Sequence, residues 1–155
     1  MSEGRDVIVR ALVEAATGYG FRGVRETNYY RERPETVCVL NLQKSSWGPQ
    51  FYLNAAIWLT RFGLERRPKE HKCQIRWRVD SLMGSEQSKA FAEALDLDHS
   101  MPDDVRLSLI KNGAASHGFG LLARCESEDA TLPLVGELGP QIRVALKVYA
   151  QEKAN

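Results

Sequence analysis

The sequence is short of most features that mark a specialised protein. Three cysteines, Cys38, Cys73 and Cys125, are an odd and sparse set among 155 residues, whereas a small secreted domain stapled by disulfides carries an even and denser one. A reducing compartment, the cytoplasm, is therefore expected. No apolar window approaches the ~20 residues needed to span a bilayer; the longest, Phe51 to Leu59, has strand length and carries Asn54 inside it. The opening Met-Ser-Glu-Gly-Arg-Asp is followed by a stretch interrupted at Arg10 and Glu14, so no signal-peptide core is expected. Excess charge of one sign is also missing. Lys and Arg number 21 against 20 for Asp and Glu, a net charge of +1, which excludes a surface wholly devoted to nucleic acid or anionic lipid.

Internal repeats, low-complexity tracts and long linkers are absent as well, so a single domain over residues 1–155 is expected. What is present is ordinary globular material, 43% hydrophobic and 26% charged, a balance that excludes a disordered chain. About two thirds of such a chain's surface can be buried on folding. A core of that size needs no disulfide or metal staple to be stable, and no cofactor is expected.

Val7, Ile8, Ala11, Leu12 and Ala15 recur at helical spacing and predict a helix from Ser2 to Thr17, stopped by Gly18 and Gly20. From Phe21 the character becomes β. Thr27, Tyr29 and Tyr30 lead to a turn at Arg33-Pro34-Glu35, a second strand runs from Val37 to about Ser45, and a third covers about Gln50 to Arg61 after a turn at Trp47-Gly48-Pro49. A charged loop around Pro68 precedes a fourth strand, Lys72 to about Leu82. Short polar connections make the simplest topology a meander. Helical patterns return at Glu86 to Leu95, after Ser100-Met101-Pro102, where Val105, Leu109 and Ile110 form a stripe ending at Asn112-Gly113, and at about Pro140 to Lys153, with an earlier start near Pro133 as the alternative and Ile142, Ala145, Leu146 and Tyr149 inward. Gly113 to Arg124 reads equally as kinked helix or loop. The expected fold is α+β: a four-stranded antiparallel β-meander with an N-terminal helix and C-terminal helices packed on one face.

Side chains alternate along a strand, so each strand divides into two sets. Cys38, Leu40 and Leu42, then Phe51, Leu53, Ala55, Ile57 and Leu59, then Cys73, Ile75, Trp77 and Val79 form the apolar set. The opposite face gathers Asn41, Gln43, Asn54, Gln74, Arg76 and Arg78, with Tyr52 and Trp58 among them. Amides and guanidinium groups at the middle of a sheet suit recognition of phosphate, carboxylate or a planar group, because Arg bonds such oxygens bidentately. The plainer reading is a solvated sheet face, which alternates polar residues for solubility alone.

Other chemical constellations fail on spacing. His71-Lys72-Cys73 lacks the paired cysteine spacing of a zinc site, and cysteines on an apolar face are inert thiols. Asp96, Asp98, Asp103 and Asp104 read as helix-start residues, and no metal site is expected. Gly118-Phe119-Gly120 lacks the Gly-Lys-Ser/Thr ending of a phosphate loop. Lys44 and Ser45 are adjacent on a strand and point to opposite faces.

Gly20-Phe21, Tyr30, Asn41-Leu42-Gln43-Lys44-Ser45-Ser46-Trp47-Gly48, Phe51-Tyr52-Leu53-Asn54 and Cys73-Gln74-Ile75-Arg76-Trp77-Arg78 form an ordered series. That series, over about residues 19 to 80, resembles the domain-of-unknown-function family 4304. Ala55-Ala56 stands where the family pattern leads one to expect Leu-Gly. The resemblance implies a bacterial origin and an α+β fold, and it implies no activity.

The expected function is a non-enzymatic binding or interaction module that uses Asn41, Gln43, Asn54, Arg76, Arg78 and Trp58 to engage a protein partner or a small anionic ligand, with an immunity-type protein as one variant. Nucleic acid is the less favoured ligand, and no membrane partner is expected. The alternative is an enzyme acting on a phosphorylated or nucleic-acid substrate through the same arginines. The lack of a carboxylate or histidine among the inferred face residues counts against it.

Overall fold

The strand-forming runs at the middle of the chain pair as their alternation requires. In the computed structural model, which describes residues 3–149, β1 (Arg22–Val24), β2 (Asn28–Glu32), β3 (Thr36–Lys44), β4 (Phe51–Leu59), β5 (Ile75–Arg78) and β6 (Arg143–Val144) form one antiparallel sheet in sequence order. The expected four-stranded meander is β2 to β5, and a short strand extends it at each edge. The β1–β2 hairpin turns through Arg25 and Glu26, both at positive φ (54° and 64°). Neither residue type favours that conformation. Arg5 Nη1 donates to Glu26 Oε2 at 3.1 Å, and the Tyr29 hydroxyl donates to the Glu26 carbonyl at 3.0 Å, which together pin the turn. At the other edge Ile75 pairs with Val144 and Arg76 with Arg143.

One face of the sheet is covered by α1 (Glu3–Gly18), α2 (Ser85–Ala94), α3 (Asp103–Ala114) and α5 (Glu128–Leu138). Ile8, Leu12, Phe91, Ile110 and Leu134 from these helices share a core with Leu40, Leu53, Ile57 and Ile75 from the strands. Burying apolar surface at roughly 25 cal/mol per Å² drives this packing. Arg106, on the inner side of α3 where the apolar stripe was drawn through Val105, is buried; Val105 is exposed. The guanidinium is accommodated because it donates to the carbonyls of Ala94, Asp96 and His99, at 2.6, 3.2 and 2.6 Å. α3 does not stop at Asn112-Gly113. A Cβ at Gly113 would lie 2.4 Å from Phe91 Cε1, so this glycine allows α2 and α3 to approach. The chain continues through a π-helical turn, Ala115–Phe119, into the short α4 (Gly120–Leu122).

Further expectations are corrected. The fourth strand is shorter than 72 to 82, because Glu70–Lys72 and Val79–Leu82 are 3₁₀ turns. Period-two alternation therefore begins only at Ile75. Cys73 consequently joins Tyr30, Val37, Val39 and Ala56 in a small cluster on the opposite side from the main core. Gln74, placed on the polar face by alternation, is buried instead, and its Oε1 accepts the Leu59 amide at 2.7 Å. Of the two starts expected for the C-terminal helix, Pro133 lies inside α5, where Ser127 Oγ accepts the Ala130 amide as an N-cap; no helix begins at Pro140, because residues 139–144 form a 3₁₀ turn and β6, and 146–149 are helical. Ile142 is buried, Leu146 and Tyr149 are exposed, and the expected stretch beyond 149 lies outside the described residues. Among those residues no helix is long and apolar enough to cross a membrane.

Candidate functional site

On the face away from the helices, antiparallel register aligns residues from neighbouring strands side by side. Asn28 of β2 pairs with Asn41 of β3, Asn41 with Asn54 of β4, and Asn54 with Arg78 of β5. The amides are joined in a chain. Asn41 Nδ2 donates to Asn28 Oδ1 at 2.9 Å, and Asn54 Nδ2 donates to Asn41 Oδ1 at 3.2 Å and to Gln43 Oε1 at 2.9 Å. Asn54 is buried, Asn28 and Asn41 half-buried, and Gln43 exposed.

The cations lie at the β5 end of this row and in the row beside it. Arg76 of β5 lies opposite Arg143 of β6, with Arg78 two residues further along the same strand and on the same side. The Arg78 guanidinium sits 4.4 Å above the centre of the Tyr52 ring. Arg76 is engaged by a carboxylate from the turn that follows the charged loop: its Nε and Nη2 donate to Glu70 Oε1 and Oε2, at 3.0 and 3.2 Å. Among the described residues Arg78 and Arg143 form no ion pair.

Glu70 and Arg76 form the wall between two open basins. One, of about 440 Å³, is lined by Asn54, Arg76, Arg78, Arg143 and Gln141 together with Glu70. The other, of about 430 Å³, is lined by Asn28, Asn41, Gln43, Lys69 and His71. Asn41, Gln43, Asn54, Arg76 and Arg78, five residues singled out from alternation, are thus brought together. Trp58 is not. It pairs with Val37 near the far end of β4, donates its Nε1 to the Gly63 carbonyl at 2.8 Å, and lines a separate depression with Lys69 and Lys72. The Tyr30 ring lies in the small cluster beside the face, with the Arg67 guanidinium 5.0 Å from its centre.

Residues the sequence reading missed fall into two kinds. Asn28 was within reach, since alternation through Tyr30 places it on the same side as Asn41. Glu70, His71, Gln141 and Arg143 carry no such signal, because a turn and a two-residue strand bring them in. Glu26 is in the β1–β2 turn, bound to Arg5 of α1.

Cys38 and Cys125 lie in the main core, whereas Cys73 sits beside the polar face, its amide bonded to the Glu70 carbonyl at 3.1 Å. All three are buried free thiols, and burial pushes Cys73 up to about 12 and Cys125 up to about 11. Among the described residues no three His, Cys, Asp or Glu side chains converge as metal ligands would.

A family model described as a domain of unknown function, DUF4304, matches residues 12–115. The chain belongs to this family. The match extends the resemblance read from residues 19 to 80 backward into α1 and forward through α3. It takes in the whole amide row, Glu70, Arg76 and Arg78, but not Gln141 or Arg143, so this chain's DUF4304 segment receives one wall of its cationic basin from outside the matched span. At Ala55-Ala56, where the family pattern suggested Leu-Gly, β4 pairs regularly with both neighbours. No curated protein and no solved structure matches the chain.

Proposed function

We propose that this DUF4304 chain is a binding module that takes up an anionic ligand on the polar sheet face. The observation that carries the reading is the charge imbalance of one basin. Arg76 and Arg143 are direct cross-strand neighbours, a placement that like charges disfavour, and Arg78 adds a third cation. Glu70 uses both carboxylate oxygens on Arg76 and leaves two guanidinium groups without a counter-ion among the described residues. A phosphate or carboxylate seated between Arg78 and Arg143 supplies that charge through bidentate bonds.

An enzymatic role has weaker support. Glu70 is occupied by Arg76, and the exposed His71 makes no hydrogen bond among the described residues, so neither is held as a general acid or base requires. Titration calorimetry with inorganic phosphate and pyrophosphate tests the reading. Saturable binding by the wild type, weakened about tenfold or more in Arg78→Ala and Arg143→Ala, is expected; absence of binding by the wild type overturns it.

A further inference from the structure

We infer that the anion is the phosphate of a hydroxyl-rich ester, a sugar phosphate, with its hydroxyls laid along the amide row; this rests on the anion-binding reading above. The basins adjoin at Arg76 and Glu70, and each volume falls in the range that holds a small ligand. One end is cationic and the other is built of amides. The ligand therefore needs an anionic head and a neutral polar body.

The amide chain specifies which polar body. Each amide offers two N–H donors and an oxygen with two lone pairs. Asn54 Nδ2 donates to Asn41 and Gln43, and Asn41 Nδ2 donates to Asn28 and, at 3.5 Å, to the Thr27 carbonyl. Their donors are spent within the sheet. The oxygens of Asn28, Asn41 and Gln43 each accept one such bond and retain a second lone pair, and Asn54 Oδ1 has no donor among the described residues. The row thus presents mostly acceptors; its free donors are the exposed Gln43 Nε2 and the second N–H of Asn28 Nδ2, whose first goes to Thr27 Oγ1 at 3.3 Å. Adjacent hydroxyls match this arrangement, since each brings one O–H donor and can accept from Gln43 in turn.

A nucleobase fits less well, because stacking needs a free aromatic face. The Tyr52 ring is covered by Arg78 and the buried Tyr30 ring lies against Arg67. The charge of Arg76 and Glu70 is spent internally, which leaves Arg78 and Arg143 to hold the phosphate while the ligand body crosses their shared wall.

The experiment compares glucose 6-phosphate and ribose 5-phosphate with phenyl phosphate, an ester of similar size without hydroxyls, and with inorganic phosphate, by calorimetry on the full chain. A sugar phosphate is expected to bind about tenfold tighter than phenyl phosphate. Gln43→Ala, at an exposed position, and Asn41→Ala are expected to remove that advantage, lowering sugar phosphate affinity more than inorganic phosphate affinity; Arg143→Ala weakens every phosphate. Melting curves establish that the variants are folded, and Gln43→Ala alone decides if Asn41→Ala is not. Phenyl phosphate binding as tightly as both sugar phosphates, or an advantage that survives Gln43→Ala, overturns the sugar assignment and leaves the anion site standing. Failure of every phosphate to bind overturns both.

Discussion

Glu70 and Arg76 meet across the wall between the two basins through paired bonds of 3.0 and 3.2 Å, with the Glu70 side chain only 11% exposed. The carboxylate occupies Arg76 as an external anion would. It also sets a negative charge beside the two guanidinium groups proposed to hold phosphate.

Glu70→Gln is therefore expected to strengthen phosphate binding several-fold, because it removes a competing anion and frees Arg76. Charge pairs this poorly screened are worth about 1–3 kcal/mol, and part of that is recovered by ligand. Calorimetry with phosphate on the variant checks the sign; weaker binding would show that Glu70 positions Arg76 for the ligand and does not compete with it.

Arg106 is a buried cation of the helical layer, and its partners among the described residues are backbone carbonyls. Arg106→Ala leaves the end of α2 and the following turn without donors, each buried carbonyl costing about 1–3 kcal/mol where water cannot reach it. The expected loss is about 3–4 kcal/mol in urea denaturation. Arg106→Lys keeps the charge but not the planar fork and recovers less than half of it. A loss below about 1 kcal/mol in the alanine variant would mean that water replaces the guanidinium.

Arg25 holds φ at 54° without the residue type such a turn favours. A left-handed conformation costs an ordinary side chain about 1–2 kcal/mol, and Asn tolerates it without the chain entropy that Gly adds. Arg25→Asn keeps the Arg5–Glu26 pair and is expected to raise stability by about 0.5–1 kcal/mol, a rise of about 1–3 °C in melting temperature. An unchanged or lower midpoint would assign Arg25 a stabilising contact of its own.

Burial raises the thiol pKa of Cys125 from 9.0 to about 11 and of Cys73 from 9.0 to about 12, and the Tyr29 hydroxyl from 10.0 to about 12. A pKa raised by folding means stability fully present below the unfolded value and lost as pH climbs toward the folded one. The melting temperature is expected to hold up to about pH 9 and to fall between pH 9 and 12. Cys125→Ala flattens the decline between pH 9 and 11. At pH 8 the native chain should show no rapidly reacting thiol, and three in denaturant; a fast-reacting cysteine in the native chain contradicts the burial.

The amide row was legible because it lies on regular strands. Asn41, Gln43 and Asn54 occupy strands of nine residues each, where the two-residue period decides a side chain's face whatever the neighbours are. The same rule misplaced Cys73 and Gln74, because the 3₁₀ turn at Glu70–Lys72 resets the phase before Ile75. Trp58 shows a further limit: alternation gives the face, but position along the strand separates this ring from the basins.

By itself the sequence determined the α+β class, the meander of β2 to β5, the apolar face, and the polar row opposite, since all of these follow from local periodicity and turn chemistry. The tertiary structure alone decided that Glu70 neutralises Arg76, that Arg143 arrives opposite it from 67 positions along the chain, and that Arg25-Glu26 turns β1 onto the sheet. Those relationships depend on contacts between distant segments, where burial and charge compensation outweigh local preference, and no period in the sequence encodes them.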